Sequence, residues 1–528
     1  MGTVINSIGI KSAHRWVDMG HPLVGGTRSS VFQFFNSLNQ IDDAGNIVNA
    51  CSLLNRRLAR HLALAIFVCF LATIQALARP GGGGGFHGGG SGHSTGGHGF
   101  SGGGGTPFSG SGGFGGSGAD LLGGFLLIFL IIAIGLGYLT IRLRRRSRAQ
   151  DVEDDQREVD AAGADFETLR LNDPGLTTEG IKQRTRQMAN ILREAWCAGD
   201  MGPARAFVSD GVFSRFTVQL ALMEAQGERN VMSEAAVDEV TIVGVRSAGP
   251  FDSLHLRIDA HARDSMVPFT ASAEQVAKAL LQTPVDPYSE IWTLVRCKGV
   301  QTKPGAGHVG EHCPSCGAPL GRGEVIKCQY CRALVSSGEY DWVLAEITQL
   351  SVWQPTARAW VPGFDLLHAA DPGSAVETIE DRASYLFWKW IEACAKGSAA
   401  PLRKCATTAF QGDIPPSPAL RDVAVGGVAI TLCMVAREPN GMDHLEVAVY
   451  WSGAPGLLEE VCTQKHILRL ARKAGVQTKP SFSSLVCHAC GAPLSASDSD
   501  ECDHCHARVA TGEQTWLLDG VLDGVTVG

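Results

Sequence analysis

Two groups of four cysteines dominate the chemistry that this 528-residue chain can support. The first is Cys313-x2-Cys316 with Cys328-x2-Cys331, and the second is Cys487-x2-Cys490 with Cys502-x2-Cys505. Two tight Cys-x2-Cys turns joined by a short excursion aim four thiolates at one tetrahedral ion, which is the spacing of a zinc ribbon. Soft sulfur donors favour Zn2+, and with all four positions filled by protein no place remains for a reactive water or a substrate. The expectation is therefore two structural Zn2+ ions per chain, one on Cys313, Cys316, Cys328 and Cys331, the other on Cys487, Cys490, Cys502 and Cys505. Disulfides, an iron site and a redox dithiol are the competing chemistries. Disulfides need an oxidising compartment, and a thioredoxin-like pair would be single and would open a helix. Gly317 and Gly491, just after the second cysteines, can take positive φ and let backbone N–H groups approach the sulfurs.

The quartets sit in a longer repeat. Gly299-Val300-Gln301-Thr302-Lys303-Pro304 precedes the first and Gly475-Val476-Gln477-Thr478-Lys479-Pro480 the second. Both carry Gly-Ala-Pro-Leu after their second cysteine, and Gly338-Glu339 ahead of Trp342 is matched by Gly512-Glu513 ahead of Trp516. The offset stays constant from first cysteine to tryptophan, which predicts a duplicated module. Other chemistry is sparse. His255, Asp259, His261 and Asp264 form the one nearby group of acids and histidines that an enzyme could use, but they alternate with apolar residues, as a solvated sheet face would. Cys197, Cys297, Cys394, Cys405, Cys433 and Cys462 read as reduced, small apolar residues.

The elements that must position the quartets follow from periodicity. Met188, Ile191, Leu192, Ala195 and Trp196 recur at helical spacing, with Thr177 and Thr178 able to cap the start and Gly199-Asp200 ending the run. Shorter helical stretches follow at 203–208 and 213–224. Strands are expected at 237–246, 254–261, 288–297 and 340–351, with Leu254, Leu256, Ile258 and Ala260 forming the apolar face of the second. Helices first and strands after indicate an α+β domain with helices on an antiparallel sheet, each ribbon capping a hairpin between the last two strands. The second copy shortens this order. Leu386, Trp390 and Cys394 share a helical face, and strands are expected at 423–437, 445–451, 464–472 and from Trp516. It lacks a counterpart of the helix at 213–224, so its core should be smaller or shared with the first.

Upstream the sequence changes character. Residues 1–55 show no sustained period and read as a disordered or untranslated extension. Residues 56–78 read as a signal peptide or signal anchor, with Arg56, Arg57 and Arg60 before an apolar run and Ala76-Leu77-Ala78 as a small-x-small cleavage signal. More than half of 81–118 is glycine, so 79–118 reads as a flexible tether. Leu121 to Ile141 carries no charge and is long enough for a bilayer core, which makes 119–141 the expected transmembrane helix. Arg142, Arg144, Arg145, Arg146 and Arg148 follow at once, placing everything beyond on the cytoplasmic, reducing side. A basic then acidic linker at 142–164 leads to a first domain at 165–354 with its ribbon at 308–336. A linker at 355–374 and a degenerate second copy at 375–528, with its ribbon at 482–510, complete the chain.

This order, together with Glu194-Ala195-Trp196-x-x-Gly199-Asp200, Gly227-Glu228-Arg229-Asn230-Val231 and Tyr288-x-Glu290-x-Trp292 leading to Gly338-Glu339-Tyr340-x-Trp342, resembles a known family. It is similar to the bacterial relatives of the C-terminal domain of mitochondrial inner-membrane translocase subunit forty-four, over roughly a third of the chain. The resemblance implies a cone similar to nuclear transport factor two, in which a curved sheet and helices enclose an apolar pocket. It also implies a bacterial inner membrane location, binding of membrane lipid or another hydrophobic ligand, and an adaptor role in protein or lipid transport with protein partners at the membrane. An enzyme using the cone pocket is the alternative. Nucleic-acid binding by the ribbons is disfavoured by the net charge of −8 and by the second copy, where Asp498, Asp500, Glu501 and Asp503 stand in place of Lys303, Arg322, Lys327 and Arg332 around the first.

Overall fold

The computed structural model describes residues 157–526 apart from 158, 248, 304–309, 322–326, 354–360, 412, 413, 415, 418, 439, 455–460 and 495–498. The expected extension, signal segment, tether, transmembrane helix and basic part of the linker lie outside the described residues. Among the described residues no helix is long and apolar enough to cross a membrane.

A helix over 159–172, α1, leads into α2 (Thr178–Ala198). The Thr177 side chain accepts from the Gly180 N–H at its start, and Gly199 ends it in the left-handed region, where an L side chain would be strained. One stripe of α2, including Ile181, Met188, Leu192 and Ala195, is buried. After a 3-10 turn at Gly202–Ala204 comes α3 (Asp210–Ala225), with Ser209 capping it. Four antiparallel strands follow in the spatial order β1 (Glu228–Arg246), β2 (Phe251–Pro268), β3 (Asp286–Cys297) and β4 (Val343–Gln349). Register shifts at three places along the β1 and β2 pairing bend the long outer strand. Between β2 and β3 lies α4 (Ala273–Gln282), held by a capping box on Ser272 and Gln275. The first cysteine quartet interrupts the β3 to β4 hairpin, as the order of elements predicts.

The second module opens with α5 (Phe364–Ala370) and α6 (Val376–Lys396). Part of the stretch expected as linker is therefore helical, with Leu367 buried. Its sheet has the order β5 (Ala406–Gln411), β9 (Leu517–Thr526), β8 (Cys462–Lys473), β7 (Met442–Ala454) and β6 (Arg421–Met434), with β5 parallel to β9 and the rest antiparallel. The second quartet interrupts the β8 to β9 hairpin.

The two cores share a helix. Val212, Phe213 and Phe216 of α3 belong to the first core, whereas Val218 and Leu222 belong to the second, beside Trp388, Trp390 and Val447. This meets the expectation that the second core is smaller or shared: α6, wedged between its own sheet and α3, is buried along most of its circumference. The outer face of the first sheet, expected to be solvated, is covered at the end that carries Phe251, Ser253 and His255, while Asp259 and His261 further along β2 remain partly exposed. Phe251, Val295 and Ala345 pack there against Ala375 and Phe482, and the Ser253 hydroxyl donates to Glu377 Oε1 across the seam, 2.9 Å away.

Candidate metal centres and the adjoining cavities

Each quartet is built from two backbone turns. The Gly317 N–H donates to the Cys313 carbonyl and the Arg332 N–H to the Cys328 carbonyl, and Gly491 to Cys487 and His506 to Cys502 repeat the pattern. The fourth position after each leading cysteine is left-handed. Gly317 and Gly491 take this at no cost, whereas Arg332 (φ 63°) and His506 (φ 57°) bear it as strained residues. The turns bring the Cys313 and Cys331 sulfurs to 3.7 Å and the Cys316 and Cys328 sulfurs to 3.8 Å, with 3.8 Å for both corresponding pairs of the second quartet. Four sulfurs about 2.3 Å from one zinc ion would form a tetrahedron with edges of about 3.8 Å, so both donor sets fit a tetrathiolate ion without rearrangement. Within each quartet all sulfurs lie inside 4.8 Å of one another, two buried and two exposed. The Cys331 thiol is drawn down to about 6, chiefly by the Ala333 N–H, while burial holds Cys313 up at about 12. Metal binding has to remove the remaining protons.

A buried fastener holds each ribbon to its sheet. At the end of β3, Arg296 Nη1 donates to Asp173 Oδ2 (2.6 Å) and to Thr302 Oγ1 (3.3 Å), and the Thr302 hydroxyl donates to the same carboxylate oxygen (2.6 Å). The guanidinium stacks 4.3 Å from the centre of the Trp342 ring, with Asp252 3.7 Å from its Nε. At the end of β8 the arrangement recurs. Arg472 binds Asp371 (2.8 Å) and Thr478 (2.9 Å), stacks 4.4 Å from Trp516 and has Asp443 at 3.5 Å. Burial alone would raise the Asp173 and Asp371 carboxyls. The hydroxyl, amide and guanidinium donors outweigh it and hold both below the ordinary carboxylate range. The repeated Gln-Thr-Lys-Pro stretch thus ties the ribbon stem to a distant segment, its threonines to the aspartate and Gln301 and Gln477 to the Asn172 and Ala370 carbonyls just before it. Those aspartates lie in Asp173-Pro174-Gly175 and Asp371-Pro372-Gly373, a second repeat whose offset differs from that of the quartets because more chain separates it from the ribbon in the first module.

One cavity adjoins these centres and a second lies inside the first module. The larger, about 780 Å³, lies between the ribbons and helices α3 and α6. Pro319 and Leu320 of the first Gly-Ala-Pro-Leu and Pro493 and Leu494 of the second form opposing walls, over Phe213 and Val218. Lys327 ties the walls together by donating to the Gly491 carbonyl. The Asp210 carboxylate, paired with buried Arg205, accepts from the Leu485 N–H at 2.9 Å and so anchors the stem of the second ribbon on the first module. Asp381, fully buried beside Asp210, is raised to about 7 by desolvation and by that like charge, and its Oδ1 accepts from the Gly211 N–H at 2.8 Å.

The smaller cavity, about 70 Å³, lies between α2, the middle of α3, β1, β3 and β4. Tyr288, Glu290 and Trp292, at alternate positions of β3, all line it, with Trp196 and Phe216 opposite. Trp292 Nε1 donates to Glu290 Oε2 at 3.0 Å, and burial raises the Glu290 carboxyl. The histidine and acid group of β2 does not converge. His255 is buried at the seam with Nδ1 3.0 Å from Thr293 Oγ1, His261 pairs with Asp238 (2.8 Å), Asp259 with Arg257 (3.1 Å), and Asp264 accepts from Asn230. Of the basic residues around the first ribbon, Lys303 donates to the Pro314 and Ser315 carbonyls. Burial pushes the Cys297 and Cys405 thiols up to about 11 and Cys433 to about 12, in keeping with small apolar residues. No protein-family model, curated protein or solved structure matches the chain.

Proposed function

We propose that this chain is a membrane-anchored, non-enzymatic binding or adaptor protein whose cytoplasmic part holds a lipid tail or an apolar peptide segment. The observation that carries the reading is the cleft of about 780 Å³, walled by the same four-residue motif from both ribbons. Its size falls in the range of about 300–1,000 Å³ common for ligand sites, and its lining mixes apolar residues such as Phe213, Val218, Leu320 and Leu494 with the charged and polar Lys327, Lys389, Glu392 and His504. The ribbons act as struts, each carrying one structural Zn2+ with no open coordination position. The two modules derive from one ancestral unit of the cone type seen in the translocase-subunit relatives, the second copy having lost its own α3 and borrowed that of the first. The anchor is the apolar segment at 119–141, with the ribbons on the cytoplasmic side of a bacterial inner membrane and a role in protein or lipid transport.

Native mass spectrometry of the full chain released from membranes, with identification of co-purified lipids and peptides, tests the reading. Two zinc ions and an apolar ligand that is lost when Leu320 and Leu494 are both changed to Asp are the expected result. A chain that carries metal but enriches neither lipid nor peptide would count against it.

A further inference from the structure

Helices α3 and α6 meet at Gly211. A side-chain carbon added there would stand 2.5 Å from Asp381 Oδ1 and 2.6 Å from the Asp381 carbonyl oxygen, so only glycine leaves room for the contact. Two acids lie at this point, Asp210 at the start of α3 and Asp381 in α6, 1 % and 3 % exposed. Arg205 is the guanidinium beside them. Its N–H groups go to Asp210 Oδ1, the Val208 carbonyl (3.0 Å) and the Ser336 hydroxyl (2.9 Å), with none to Asp381. Asp381 is held by neutral donors, the Gly211 N–H at 2.8 Å and the Ser209 hydroxyl. On its other side a void of about 20 Å³ is lined by Glu346 of β4 and by Glu377 and Glu380 of α6. These acids have partners of their own: the Val428 N–H and the charge of Arg215 for Glu346, Ser253 and Arg246 for Glu377, and the Ile430 N–H for Glu380. Arg382, next to Asp381 in α6, donates to the Trp516 carbonyl at 2.8 Å.

The second ribbon hangs on this pair of acids. Asp210 Oδ2 accepts from the Leu485 N–H at 2.9 Å, Leu485 lines the cleft, and its carbonyl accepts from the N–H of Leu494, another wall residue, at 2.9 Å. We propose that a proton on Asp381 keeps the stem of the second ribbon docked at Leu485, and that its loss frees the stem and opens that wall of the cleft. With Asp381 neutral, Asp210 is the one carboxylate that Arg205 serves. With Asp381 ionised, two buried carboxylates contend for one guanidinium away from solvent. Asp210 is the side that yields, because it stands in the first turn of its helix, and helix ends open at lower free energy than packed interiors. Its movement takes the acceptor from the Leu485 N–H. Burial and the like charge of Asp210 raise the Asp381 carboxyl to about 7 while the stem is docked. Once freed it meets water and returns to an ordinary value of about 4. Docking is therefore favoured most below that value and weakens as pH rises through about 7. An apolar occupant of the cleft is held more tightly at mildly acidic pH than above neutrality.

The consequence for a ligand rests on the cleft being the binding site proposed above, whereas the response of the stem does not and can be read with the cleft empty. The test is hydrogen exchange followed by mass spectrometry on the full-length chain in a maltoside detergent, at pH 5.5 and pH 8, with each amide rate corrected for the intrinsic effect of pH. Protection of the Leu485 amide should fall at least tenfold from pH 5.5 to pH 8. The Leu320 amide, bonded to the Glu311 carbonyl within the first ribbon, should keep its protection, and the metal content should be the same at both pH values. Asp381→Asn, which cannot ionise, should hold the Leu485 amide equally at both. Asp210→Ala, which removes the acceptor, should leave that amide poorly protected at both. Equal protection of Leu485 at the two pH values in the wild-type chain would overturn the proposal without recourse to any variant. So would a fall that Leu320 shares, or one that survives in Asp381→Asn.

Discussion

The two modules keep the same fastener and part company at the cavity. Arg296 and Arg472 sit in the same strand register, each bound to an aspartate, a threonine and a tryptophan face with distances that agree within a few tenths of an ångström. Six residues before each arginine, the first module has Glu290 facing a cavity. The second has His466, whose Nδ1 accepts from Trp451 Nε1 at 2.8 Å inside a packed aromatic cluster with Phe387 and Trp390. The contrast teaches that the fastener is what a ribbon-bearing hairpin needs, whereas the cavity is separable from it. Filling the second cavity with rings gives α6 the apolar volume to pack on both of its sides. The first module pays for its cavity with an incompletely filled core.

The comparison can be broken first at the metal. Removing one ion with Cys328→Ser or Cys502→Ser should halve the zinc content measured by elemental analysis. Structural zinc contributes on the order of 10 kcal/mol to small ribbons, so either ribbon should lose its structure. The losses should be unequal. The second ribbon's stem inserts Phe482, 2 % exposed, into the first module and ties Leu485 to Asp210, so Cys502→Ser should also separate the modules. Proteolysis that cuts near the linker in Cys502→Ser but not in Cys328→Ser is the expected pattern. Equal sensitivity would show that the stem holds without its ion.

The fasteners come next in size. Arg296→Met and Arg472→Met each leave two buried carboxylates without their cation, at a cost of about 3–5 kcal/mol, readable as a lower midpoint in urea. The two variants should be similar, because the surroundings are. In wild type, Asp173 and Asp371 have depressed folded values, so their contribution is present above the ordinary carboxylate range and is lost as pH falls below about 4. Each methionine variant should lose that acid sensitivity at its own module.

The smallest effect concerns the seam. Asp381 has a folded value of about 7, above its unfolded value of about 4. The folded state therefore holds this proton more tightly, and the contribution is full below pH 4 and lost as pH rises from about 4 through about 7. Asp381→Asn, which keeps an acceptor for the Gly211 N–H, should raise the melting temperature at pH 8 by a few degrees and leave it unchanged at pH 4. An equal shift at both pH values would point to packing instead of charge.

Much of the candidate site could be read from the residues. The quartets, the hairpins that carry them, the capped helix α2 and most strands follow from spacing and period. The helices α4 and α5 are hard to read from sequence because each is short and buries little, α4 having no buried residue and α5 only Leu367. The threonine–arginine–aspartate fastener was only half visible: its threonine lay in the noticed repeat, and its aspartate more than a hundred residues away in another.

What the sequence determined alone is what a short stretch of chain can enforce. Two Cys-x2-Cys turns bring four sulfurs to one point through local backbone geometry, and strand alternation separates one face of a sheet from the other. Tertiary structure decided what lies against those faces. The polar face of β2, with Ser253 and His255, reads as solvent-facing, yet it is covered by the second module, because hydroxyls and imidazoles satisfied across a seam look in sequence like groups satisfied by water. Only the packed chain shows that one helix serves two cores, that two ribbons wall one cleft, and that the Tyr-x-Glu-x-Trp strand faces a cavity in one module while its counterpart faces tryptophan in the other.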